Sequence, residues 1–148
     1  MERGIHAAEL FCGGYNCAQS VAAAFCDLTG LTKEQTAKMI SGFGAGMGRL
    51  REVCGAVSGM FFVVSMLYGY DAPDPAAQKR LYATIQELAG KFREQAGSIV
   101  CREILKNPPT DPSPEPRTAE YYAKRPCARM CFIAASVLEA YIAENPVK

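Results

Sequence analysis

The chain has 148 residues, 49% hydrophobic and 21% charged, which fits a single domain spanning 1–148 with its own core and argues against disorder. A formal net charge of +1 and a pI near 7.5 offer no electrostatic footing for nucleic acid or an anionic membrane surface. Glu2-Arg3-Gly4-Ile5-His6 does not resemble a signal peptide, and the longest apolar stretch, Gly55 to Tyr68, is short of the roughly 20 residues that span a bilayer, so the expected location is cytoplasmic.

Helical spacing runs through almost the whole sequence. A short segment from about Ile5 to Phe11 gives way at Gly13-Gly14. Asn16, a good cap, opens a helix to about Leu28, with Cys17, Val21, Ala24, Phe25 and Leu28 on one face and Gly30 as its stop. Thr32 with Gln35 three positions on has the capping-box pattern and predicts a helix ending near Ser41-Gly42. The glycine run Gly44-Ala45-Gly46-Met47-Gly48 lacks phosphate-loop spacing, has no strand before it, and reads as backbone freedom where one helix end passes another.

A nearly all-apolar helix from about Val53 to Leu67 is expected at the centre, since it has no polar face. From Ala76 to Gln95, Leu81, Ile85, Leu88 and Phe92 form one stripe, and Glu87 with Lys91 makes an exposed i, i+4 pair. Five prolines between Lys106 and Arg117 predict an extended surface loop. A turn of helix is expected within Thr118 to Ala123, and a last helix from Pro126 or Cys127 to about Glu144, with Met130, Ala134, Val137, Leu138 and Tyr141 inward. No stretch alternates as a strand does. The expectation is an all-α bundle of about five to six helices with the Pro-rich loop before the last one.

Seven cysteines in a reducing compartment are metal ligands, redox thiols or core fillers rather than staples, and none forms a Cys-x2-Cys pair. Cys17, Cys54, Cys101 and Cys127 each stand at an inferred helix start, where free N–H groups and the dipole favour a thiolate. If those ends converge, the four thiols form one site for dithiol chemistry or for zinc or an iron–sulfur cluster, with Arg49, Arg51 and Arg102 adding positive charge. The alternative is small, inert core residues. Cys12, Cys26 and Cys131 lean to packing. Cys131 lies one turn after Cys127, Cys12 could reach the site across the Gly13-Gly14 break, and Cys26 lies late in its helix. His6 is the only histidine, and that shortage disfavours cysteine–histidine catalysis and two-cysteine, two-histidine zinc sites.

Four pieces resemble one family: Gly14-Tyr15-Asn16-Cys17-Ala18-Gln19, Cys54-Gly55-Ala56-Val57-Ser58-Gly59, Gly97-Ser98-Ile99-Val100-Cys101-Arg102 and Arg125-Pro126-Cys127. This pattern is similar to the redox-active proteins named for a C-GCAxxG-C-C cysteine pattern, with Cys-Gly-Ala here where the name writes Gly-Cys-Ala. The resemblance runs from about Gly14 to Leu138. It implies four functional cysteines, carried onto Cys17, Cys54, Cys101 and Cys127, and no settled substrate. It also implies an unidentified redox partner or a transporter encoded nearby. Three readings stand at this point: a redox protein using the four-cysteine site, a non-catalytic metal-binding or transporter-associated module, and a structural helical domain. A homodimer is compatible with all three.

Overall fold

The computed structural model describes residues 2–147, which form ten α-helices, one 3-10 turn and no strand. The helices are α1 Glu2–Cys12, α2 Cys17–Ala23, α3 Cys26–Thr29, α4 Lys33–Met39, α5 Gly44–Met47, α6 Gly55–Tyr68, α7 Pro75–Ala96, α8 Cys101–Ile104, α9 Ala119–Lys124 and α10 Cys127–Glu144. The all-α expectation holds. The count is higher than five to six because α3, α5, α8 and α9 are short turns of helix and one expected helix is split.

That split separates α2 from α3. Sequence periodicity carries one helix from Asn16 to Leu28, but Phe25 leaves helical geometry at φ −121°, ψ 17°. A tertiary partner makes the break tolerable: Arg3 Nη1 donates to the Ala24 carbonyl at 2.8 Å while its guanidinium pairs with Asp27 on α3. The carbonyl at the helix end is satisfied by a residue from α1, which local sequence cannot show. Cys26 consequently opens α3 instead of lying late in a long helix.

Two helices share the centre. α6 is buried from Gly55 to Met60 and at Val63 and Val64, then emerges, leaving Met66 exposed. α10 buries Met130, Cys131 and Ile133 to Leu138, and packs against α1, α2, α6 and α7. Phe11, Phe25, Met60, Leu88, Phe92 and Leu138 are among the largest fully buried side chains of the core. α7 lays Leu88, Ala89 and Phe92 on this core, with Leu81 and Ile85 partly covered, and Glu87 with Lys91 makes its 3.1 Å surface pair. α2 and α6 approach closely at Gly59, where a Cβ would stand 2.6 Å from the Ala18 carbonyl oxygen. Thr32 and Gln35 form the full capping box at the head of α4. Among the described residues, no helix is long and apolar enough to cross a membrane.

Candidate functional site

Four chain segments meet at one end of the bundle, and each brings a cysteine. Cys17 is the first residue of α2, Cys101 of α8 and Cys127 of α10, while Cys54 occupies the position before α6. Asn16 holds the head of α2 with a reciprocal cap: its side chain accepts from Gln19 N at 2.9 Å, and Gln19 Oε1 accepts from Asn16 N at 3.0 Å. All four sulfur-bearing side chains line one cavity of about 70 Å³.

Cys54 and Cys101 are brought together by a short backbone clasp. Val53 and Val100 form an isolated antiparallel bridge, with Cys54 N donating to Ile99 O at 2.7 Å and Cys101 N to Glu52 O at 2.6 Å. The preceding loop is unusual. Residues 45 to 49 have positive φ throughout, and Arg51 joins them at 63°. Gly48 N closes the turn onto Gly44 O at 2.9 Å. Left-handed backbone costs roughly 1–2 kcal/mol at each residue with a Cβ, so the surrounding structure must impose it on Ala45, Met47, Arg49 and Arg51. Gly46 explains why the turn needs glycine: a Cβ there would sit 2.6 Å from Cys101 Cβ and 2.7 Å from Arg51 Cα. The glycine run does provide close approach, as the sequence implied.

The loop aims arginines at the thiols. Arg51 is 3% exposed; its Nε donates to Pro109 O at 2.9 Å and its Nη1 lies 3.7 Å from Cys101 Sγ. Arg49 lines the same cavity and donates from Nε to Asp111 O at 2.6 Å. Both arginines thus take carbonyls of the Pro-rich segment, which lies over the loop. Arg102 does not line the cavity: its guanidinium pairs with Glu52 and donates to Arg51 O at 3.2 Å. Sequence reasoning missed Arg117 and Arg125. Arg117 donates to Phe11 O and Tyr15 O at 2.8 and 3.0 Å and stacks over the Phe11 ring, while Arg125 pairs with Glu115. Arg125-Pro126-Cys127 carried a hint of the second. Arg117 carried none, because it arrives from the far end of the loop.

All seven cysteines are free. Within the cavity they are not equivalent. The Cys127 thiol, pairing with the Cys17 sulfur, lowers the Cys17 thiol to about 6, aided by the backbone amides of Ala45 and Cys17 and by the Arg117 charge, against the opposing effect of burial. Cys127 is pushed up by the same pairing and by burial. Burial, with the adjacent Cys17 charge next, raises Cys54 to about 12. Burial also raises Cys101, although Arg51 opposes it. A helix N-terminus therefore does not make every thiol acidic: one thiolate in a small buried space makes the next harder to form. The acidic thiol is Cys17, which its place at a helix start did not distinguish from Cys54, Cys101 or Cys127.

The other three cysteines do not line the cavity. Cys131 Sγ donates weakly to Cys17 O at 3.8 Å and is fully buried, Cys12 is exposed at the end of α1, and Cys26 lies 3.3 Å from Thr36 Oγ1. Among the described residues, no three His, Cys, Asp or Glu side chains are gathered in a group that could hold a metal ion.

Residues 15–141 match the model of the family described as "Putative redox-active protein (C_GCAxxG_C_C)", and the chain belongs to that family. Neither a curated protein nor a solved structure matches the chain.

Proposed function

We propose that the protein is a dithiol redox protein in which Cys17 is the attacking thiolate and Cys127 the resolving thiol. The observation that carries this reading is the meeting of these two side chains, from the first turns of α2 and α10, in a cavity lined by all four motif cysteines. In the step proposed, Cys17 thiolate attacks one sulfur of a small disulfide, the S–S bond breaks, and one half leaves as a thiolate. Cys127 then gives up its proton to solvent and attacks Cys17 Sγ. The second half leaves as a thiolate and a Cys17–Cys127 disulfide remains, so two electrons pass from the pair to the substrate. Run in reverse, the same pair oxidises a dithiol. Cys54 and Cys101 complete the cavity wall, and Cys101 lies against Arg51.

Coordination of zinc or an iron–sulfur cluster by Cys17, Cys54, Cys101 and Cys127 would require these side chains to regroup, since they do not now form a three-ligand set. The geometry supports pairwise exchange over coordination, and over a transporter-associated metal carrier.

Incubation with a small organic disulfide at pH 7, followed by peptide mapping, tests the reading. The expected products are a Cys17–Cys127 disulfide in the native protein and a mixed disulfide arrested on Cys17 in Cys127→Ser. Cys17→Ser should leave Cys127 unmodified. Absence of the cross-link from native protein, with Cys17 unreacted, overturns the proposal.

A further inference from the structure

Among the described residues, one buried nitrogen of a cavity-lining side chain has no partner. Arg51 Nη2 is buried and makes no hydrogen bond, although Nε and Nη1 of the same side chain are engaged. A buried charged donor left without an acceptor is costly, and the loop that delivers it is already in left-handed backbone. Such a combination marks a side chain held ready for something absent. We infer that the cavity binds a small oxyanion of about the size of sulfate or sulfite, with an oxygen accepting from Arg51 Nη2.

The charge balance supports the same ligand class. Arg49 is neutralised by Asp111 at 3.7 Å, and Arg125 by Glu115, the acidic residue on the cavity wall. The partners of Arg51 and Arg117 include carbonyls, a sulfur and a ring, none of which carries a carboxylate charge, and among the described residues neither side chain pairs with a carboxylate. Two guanidiniums therefore line the cavity without a carboxylate partner, and an anion offsets their charge. The starts of α6 and α10 point the same way. The cavity's 70 Å³ exceeds the roughly 10–15 Å³ that one water needs, and suits a four- or five-atom anion better than a peptide. Glu115, Tyr121 and Arg125 also line an open groove on the surface, so the Glu115–Arg125 pair stands between cavity and solvent. An oxyanion seated here lies among the thiols without the inference depending on how they react.

Inorganic sulfate is the probe, titrated at constant ionic strength against chloride, with the alkylation rate of Cys17 and the thermal midpoint as readouts. The expected result is saturable slowing of Cys17 alkylation and a saturable rise in midpoint, both absent with chloride. Arg51→Gln should weaken sulfate at least about tenfold, the scale of losing one hydrogen bond to a charged group. If Arg51→Gln does not fold, Arg51→Lys, which keeps the charge without the fork, should show the same direction of loss. Cys17→Ser should still raise its midpoint with sulfate, which separates this site from the exchange reaction. Equal responses to sulfate and chloride, or full sulfate binding in the Arg51 variants, would show that Arg51 holds no oxyanion in this cavity and would overturn the inference.

Discussion

Val53 and Val100 pair as a lone antiparallel bridge, and each stands one residue before a cysteine of the cavity. This clasp, together with Cys54 N on Ile99 O and Cys101 N on Glu52 O, sets two distant stretches of chain side by side. Left-handed Gly46 lies directly beneath it, against Cys101 and Arg51. The thiol pair and the buried arginine are therefore positioned by one strained loop.

That loop gives the first prediction. Gly46→Ala places a Cβ 2.6 Å from Cys101 Cβ in a backbone with φ of +73°. The combined overpacking and left-handed strain should cost about 2–4 kcal/mol. Urea unfolding measures it, and an unchanged midpoint would show that the contact is not made.

Cys17 should be the most readily ionised thiol of the cavity. Its alkylation rate should rise with pH through about 6, whereas Cys54, held up to about 12, should stay inert at neutral pH. Cys127→Ala removes the largest influence lowering Cys17 and should move its midpoint upward, toward the ordinary cysteine value of about 8.5. Rate profiles by mass spectrometry decide it.

Stability should follow these protons. Cys17, lowered in the folded state, contributes stability that is complete above about pH 8.5 and lost as pH falls through about 6. Cys54 is raised, so its contribution is complete below about pH 8.5 and disappears as pH climbs toward 12; Cys101 and Cys131 act in the same direction. The unfolding free energy of the reduced protein should therefore rise from pH 5.5 to near 8.5 and fall beyond it. Cys17→Ser should flatten the rise. A slope unaffected by that change assigns the protons elsewhere.

Asn16 links stability and reactivity. Asn16→Ala removes the cap of α2 and should cost about 1 kcal/mol. Asn16→Asp keeps a capping oxygen but adds a negative charge beside Cys17, so the Cys17 midpoint should move up. A downward shift would mean that the side chain does not face the sulfur.

Metal content separates exchange from coordination. Protein purified without chelator should carry much less than one equivalent of zinc or iron, and a chelator should leave its thermal midpoint unchanged. Stoichiometric metal lost together with the fold would displace the dithiol reading.

Much of the fold was legible because local rules wrote it. The α4 capping box, the span of α10, the α7 stripe and the Pro-rich loop follow from residues within a few positions of one another. The start of each motif-cysteine helix was readable for the same reason: Asn16 and Pro126 are terminus signals in themselves, and Cys54 and Cys101 each follow a glycine-bounded segment. The α2–α3 break was not readable, because the group that satisfies the Ala24 carbonyl is Arg3, on another helix.

For the site, sequence alone determined that four thiols begin helices, since capping and glycine punctuation are local. Which thiol is acidic was a tertiary decision. Cys17 has Cys127 beside it, while Cys54 and Cys101 are buried near the charge that Cys17 already holds. Which arginines reach the cavity was settled the same way: Arg102 turns to Glu52, and Arg117 arrives from the end of the Pro-rich loop. Desolvation and charge coupling depend on distances through space, and those exist only once the helices have packed.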